Sequence, residues 1–431
     1  MTAVAREVAT LRKVEGSFSP PCRAIVANEL REELDRKLRR DLPIQPELYL
    51  EALRRLGIVD GEPSTVYSDL LEFYAGQVLG FYDPGRDEMV VVSGERLGGP
   101  AMRLVWAHEL AHAAQESRYH LPSRLLGMRA NGDEQRAASA VAEGEALLVM
   151  FLLASPGSDA RALDQAVEML EGQAAAGLAS ARVPEFFVQD LLFPYAKGFS
   201  TVVRAYREGG WQEVDRLLSS PPPSTALLLH PNFPEVRQLG DDTLPPVPAG
   251  WEEVVSDTLG EWTLGFWLSR RFPAEKSRRL AAGWCGDRLR LVRNRQNTDH
   301  WALAWRLVTS NLESRELTAA LQQGLPGLLA RLPGRNPPLE LAWTIAGTTI
   351  ELRANWPKPA GEDKNGRRLP ATHGPAPDGS QPLTYLSSTT TTDFMTTGSR
   401  GTASLRRPGS TLTLAMASTT FMPSTTLPNT Q

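Results

Sequence analysis

Cysteine is nearly absent from this sequence. Cys22 and Cys285 are its two examples in 431 residues, and their wide separation argues against a disulfide framework while leaving the redox compartment open. Neither sign of charge dominates: Lys plus Arg number 46 against 50 for Asp plus Glu. With an isoelectric point near 6.0, nothing points to nucleic acid or an anionic membrane as a partner. Long apolar runs are missing as well. The longest strongly apolar stretch, ALLVMFLLA from Ala146 to Ala154, has nine residues. A bilayer crossing needs about 20, so the stretch reads as a buried helix and no transmembrane segment is expected. The opening MTAVAREVATLRKVEGSFSP lacks the apolar core of a secretory signal, which makes the cytoplasm the default compartment unless an export segment precedes it.

Histidine is also scarce, at six residues. Two of the six nevertheless stand in LVWAHELAHAAQES, Leu104 to Ser117, in the order H-E-x-x-H. At this composition about 0.01 such matches arise by chance. The surroundings favour a helix, with Pro100 suited to a first turn and no Gly or Pro again until Pro122. On a helix His108 and His112 lie one turn apart and can converge on one ion. Glu109, about 100° around the axis, can reach a water there without being a ligand. This is the donor arrangement of a zinc hydrolase.

The rest of the chain reads as α+β. Helices are expected over 27–56, broken at DLPIQP, and over 67–75. The runs VLGFY and EMVVV around DPGRD then predict a hairpin just before the HExxH helix. Further helical stretches run from Glu134 to Ala154 and on through PYAKGFSTVVRAYREGG. The expected organisation is a mainly helical catalytic unit with a small sheet over 1–220, a Pro-rich connection over 221–250, and a small α+β unit over 251–355. Residues 356–431 carry about fifteen Thr in the last fifty and no sustained periodicity, so they are expected to be disordered.

A catalytic zinc takes three protein ligands and keeps one open position. Glu143 and Glu145, in the apolar helix segment AVAEGEALL, are the candidates for the third, because a buried carboxylate needs a partner. They point about 200° apart, and geometry alone leaves the choice open. Together, HELAH and the downstream EGEA resemble the gluzincin metallopeptidases, specifically a bacterial peptidase-MA-like branch whose second helix carries an E-G-x-A signature. That resemblance implies a zincin-like fold and assigns the ligand role to Glu143, with Glu145 at the variable position. The segments VLGFYDP, PYAKG, GGWQEVD, PPPSTALLLHP and GWCGDR extend the likeness to uncharacterised bacterial zincin-like proteins over roughly 11–355. Cys285 departs from it, standing where a polar or acidic residue is expected.

The resemblance further implies a His or Tyr facing the substrate carbonyl, and His230, in extended chain before Pro231, is the candidate oxyanion stabiliser. Tyr82 and Tyr195 read as packing residues. The resulting expectation is a zinc peptidase acting on a peptide or protein substrate. His108, His112 and Glu143 hold Zn2+, Glu109 is the general base, and the hairpin edge receives an extended peptide. The same donors also permit hydrolysis of another amide, or a metal-binding scaffold; the intact Glu109 favours an enzyme.

Overall fold

The computed structural model describes residues 1–357 apart from 15–17, 43, 94–99, 128–130, 177–181, 234, 311–313 and 334–337. From 358 onward the tail expected to be disordered lies outside the described residues. What is described is α+β, with helices carrying most of the chain and two separate sheets.

The first sheet is small and sits beside the HExxH helix. The hairpin expected from sequence forms as β2 (Gly80–Asp83) and β3 (Glu88–Ser93), paired antiparallel. A strand that periodicity did not reveal, β1 (Cys22–Val26), adds to β3 in parallel, giving the order β1-β3-β2. It leads directly into α2 (Ala27–Asp41), which is followed by α3 (Pro46–Arg55) and α4 (Pro63–Gln77). The break between α2 and α3 falls at the predicted DLPIQP, where Pro46 takes the first helical position.

Four helices build the frame around the HExxH segment. The first, α1 (Thr2–Arg12), buries Val4, Ala5 and Val8 in one apolar cluster with Ala107, Leu110 and Ala114 of α5 (Pro100–Tyr119). The central helix is α7 (Gly132–Ala154), which follows the short α6 (Leu121–Gly127). Its 23 residues are long and apolar enough to cross a membrane, yet most of that length is packed inside the fold, as expected of a core helix. After α8 (Ala160–Ala176), the long α9 (Glu185–Gly209) crosses α7 at very short range. A Cβ placed on Gly198 would stand 1.8 Å from the Ala140 carbonyl oxygen, and one on Gly144 would stand 2.3 Å from the Gly198 backbone. Glycine at both positions lets the two backbones touch, and this fixes the height at which Glu143 leaves α7.

After α10 (Trp211–Ser219), the Pro-rich connection contains a short helix, α11 (Thr225–Leu229), pinned to the start of α7. Ser224 caps it and donates to buried Asp133 at 2.5 Å, while the Thr225 amide donates to the same carboxylate at 3.1 Å. The second sheet, in the order β4-β5-β6-β8-β7, is antiparallel throughout, with β8 inserted between β6 and β7. It comprises β4 (Trp251–Asp257), β5 (Trp284–Asn294), β6 (Trp301–Thr309), β7 (Leu341–Ala346) and β8 (Thr349–Ala354). Helices α12 (Gly260–Ser269), α13 (Ala274–Ala281) and α14 (Ser314–Leu328) accompany it. Trp301 and Trp305 of β6, Trp267 of α12 and Leu321 of α14 belong to one continuous apolar cluster with Leu30, Leu50 and Leu70 of α2, α3 and α4.

Candidate metal centre

The helix α5 forms for local reasons, and its periodicity turns His108 and His112 to one side. Both are buried, and α7 brings Glu143 to them from across the interface. The Nε2 atoms of the two histidines are 3.2 Å apart. Glu143 Oε2 lies 3.1 Å from His108 Nε2 and 3.5 Å from His112 Nε2. A tetrahedral ion with bonds of about 2.0–2.1 Å holds its donors about 3.3–3.4 Å apart, so the triangle matches that spacing. It is the one group of at least three His, Cys, Asp or Glu donors among the described residues that meets a metal-binding distance criterion.

Electrostatics within the triangle are strong. Burial alone would raise Glu143, but His112 and His108 outweigh it and hold the carboxyl well below the usual range. Burial likewise acts to lower His112, yet the Glu143 carboxylate prevails and pushes it up to about 9. Two imidazole nitrogens and a carboxylate oxygen this close require protons or a cation between them.

Glu109 lies outside the triangle and is fully buried. Its Oε2 accepts the Tyr82 backbone N–H at 2.8 Å, while its buried Oε1 has no hydrogen-bond partner among the described residues. Burial pushes Glu109 up to about 8, with Glu143 adding to the effect and His112 and the Tyr82 amide opposing it. The strand β2 is thus an edge strand whose Tyr82 amide is already engaged by Glu109, and all four of its residues are buried. That bears directly on the expected docking of a peptide along this edge.

The two glutamates of EGEA part company. Glu145 leaves the opposite side of α7, forms a buried ion pair with Arg12 and accepts from Gln115 Nε2 at 2.6 Å. Glu143 is the one that joins the histidines. His230 is not brought to the triangle: its Nε2 lies 2.8 Å from Glu261 Oε1, and it lines a separate cavity of about 410 Å3 with Trp262, Phe266 and Arg278. Burial, reinforced by Asp133, pushes Glu261 up to about 8.

Tyr195, read from sequence as a packing residue, stacks its ring on His108 at 6.2 Å between centroids. Other neighbours of the cluster were not singled out from sequence. Gln115 lies 3.1 Å from His112 Nδ1. The only sequence signal for Gln115 is its position one helical turn past His112; Arg12 carries none, because its partners are over a hundred residues away.

Fold and site together define an α+β protein with a buried His-His-Glu cluster able to hold a metal ion. Residues 247–349 match the family described as a domain of unknown function (DUF8575), a range that takes in β4 through β7 of the second sheet. No curated protein and no solved structure matches the chain.

Proposed function

We propose that this protein is a zinc-dependent peptidase of gluzincin type, with His108, His112 and Glu143 as metal ligands and Glu109 as general base. The observation that carries the reading is the pairing of a donor triangle of tetrahedral size with an adjacent buried carboxylate whose Oε1 is unpartnered. Structural histidines give no reason for that second feature, since a buried unsatisfied carboxylate oxygen is costly.

A zinc ion in the triangle would supply Lewis acidity, polarising the scissile carbonyl and making water acidic near neutral pH. The chain's own residues do the proton work. Tyr82 N–H fixes Oε2 of Glu109 and so aims Oε1. Oε1 accepts the proton of the attacking water, whose oxygen bonds to the carbonyl carbon, and returns it to the leaving nitrogen as the C–N bond breaks. The apolar surroundings of α1, α5 and α7 exclude bulk water and strengthen these interactions.

Elemental analysis of the purified protein, with a broad casein-type peptide screen, tests the reading. The expected result is about one zinc per chain. Glu109→Gln should keep that metal and lose at least about 10²-fold in turnover. Unchanged turnover in Glu109→Gln would move the chemistry elsewhere, and a bound metal without hydrolysis in the parent would favour a scaffold.

A further inference from the structure

We infer that Arg12, Glu145 and Gln115 form a positioning relay that fixes the tautomer and orientation of His112, so that α1 takes part in metal binding without touching the metal site. The inference rests on the metal-ligand reading above and extends it to residues that motif and resemblance left without a role.

The relay is read outward from the ligand. His112 presents Nε2 to the triangle and Nδ1 to Gln115 Oε1 at 3.1 Å. An imidazole nitrogen that ligates a metal must carry a lone pair, so the proton has to sit on the other nitrogen, and that nitrogen needs an acceptor. A glutamine amide offers an acceptor at one end and two donors at the other, and which end faces His112 is decided by its remaining neighbours. Gln115 Nε2 faces two acceptors: the Ala142 carbonyl at 2.8 Å and Glu145 Oε2 at 2.6 Å. Turning the amide over would set its oxygen against both. Gln115 is therefore locked with Oε1 toward His112, and Nδ1–H is the only partner that suits it.

Glu145 is itself held in place by Arg12. The Arg12 guanidinium is buried, pairs with Glu145 Oε1, and is held in turn by Asp215 at 2.7 Å and by the Trp211 ring, 4.0 Å from its centroid. Arg118 braces the outer end, donating to Asp215 at 3.0 Å and to the Arg12 carbonyl at 2.8 Å. Burying so many charged groups without use would be expensive. The relay gives that expense a purpose and explains why EGEA carries two buried acids with different tasks.

The experiment is a zinc titration against a competing chelator on the full chain. Gln115→Leu removes the acceptor, and loss of such an outer partner weakens metal affinity by about 10–100-fold. Arg12→Met keeps the stem over Trp211 and should weaken zinc binding in the same direction, although no atom of Arg12 is a ligand. The decisive comparison is Arg12→Lys, which restores a cation beside Glu145. Its zinc affinity should recover well above that of Arg12→Met, a recovery that simple loss of packing does not produce. Proton NMR of the zinc-loaded wild type should also show a slowly exchanging His112 Nδ1–H, and this reading holds even if a single variant fails to fold. Wild-type affinity in Gln115→Leu, no recovery in Arg12→Lys over Arg12→Met, or a freely exchanging Nδ1–H overturns the relay while leaving the metal site standing. A wild-type chain that takes up no zinc removes the metal reading itself, which is a different result.

Discussion

Glu109 has one oxygen fastened to a strand amide and the other facing no partner, and this should be visible in stability as well as in chemistry. Unfolded, the group titrates near 4.5; folded, near 8. Between those values the native state keeps a proton that the unfolded chain has lost, so its contribution to stability falls as pH rises and levels off above about 8. Glu109→Gln abolishes that loss. In metal-free protein, urea midpoints at about pH 5 and about pH 8.5 should show the variant gaining on wild type at the higher pH, by at most about 5 kcal/mol. The elevated His112 works in the same direction, stabilising below its unfolded value and losing that contribution as pH climbs to about 9, but it is present in both proteins and cancels in the comparison. An equal gap at both pH values would show that Glu109 ionises in the fold at no cost. At this scale the sequence was informative where chemistry demands local spacing. His108, Glu109 and His112 could be read because one helical turn sets their relation. Glu143 and Glu145 could not be separated without the rotation of α7, and His230 was assigned by analogy to a place from which its bond to Glu261 draws it away.

The crossing of α7 and α9 carries the next prediction, because it positions Glu143 and Tyr195 together. Gly198→Ala places a methyl 1.8 Å from the Ala140 carbonyl oxygen, too close for any rotamer to relieve, so the helices must separate. A destabilisation of about 1–3 kcal/mol is expected, together with weaker zinc binding as Glu143 moves off the histidines. Denaturant midpoints and a zinc titration check this; unchanged values for both would mean that the crossing does not set the site. Helices of high periodicity and the DPGRD hairpin were legible in the sequence, since their signals lie within a few residues. The strand β1 was not: five residues with a mostly exposed pattern, CRAIV, become a strand only by pairing in parallel with β3. Nor was α11, whose capping Ser224 lies among prolines and whose anchor, Asp133, is 91 residues earlier.

For the whole molecule, the apolar cluster shared by α2, α3, α4 and the five-stranded sheet implies joint unfolding. Arg55 on α3 reinforces the connection, pairing with Asp299 and donating to the Arg331 carbonyl at 2.9 Å. Tryptophan fluorescence, dominated by the buried sheet residues, and far-ultraviolet dichroism, dominated by helices, should therefore report one coincident transition. Added zinc should shift both probes equally, since a ligand bound only by the native state stabilises everything that unfolds with its site. Two separated transitions would instead draw a boundary near the Pro-rich connection.

The depth of the donor triangle also sets a clock. With His108, Glu109, His112 and Glu143 all shielded from solvent, exchange of an ion held by them is expected to require the surrounding helices to part. Stripping the metal with increasing amounts of chelator should then approach a ceiling rate that no longer depends on chelator concentration. That ceiling would be the opening frequency of the protein. For the hydrolysis proposed above, the same frequency would be the upper limit on turnover.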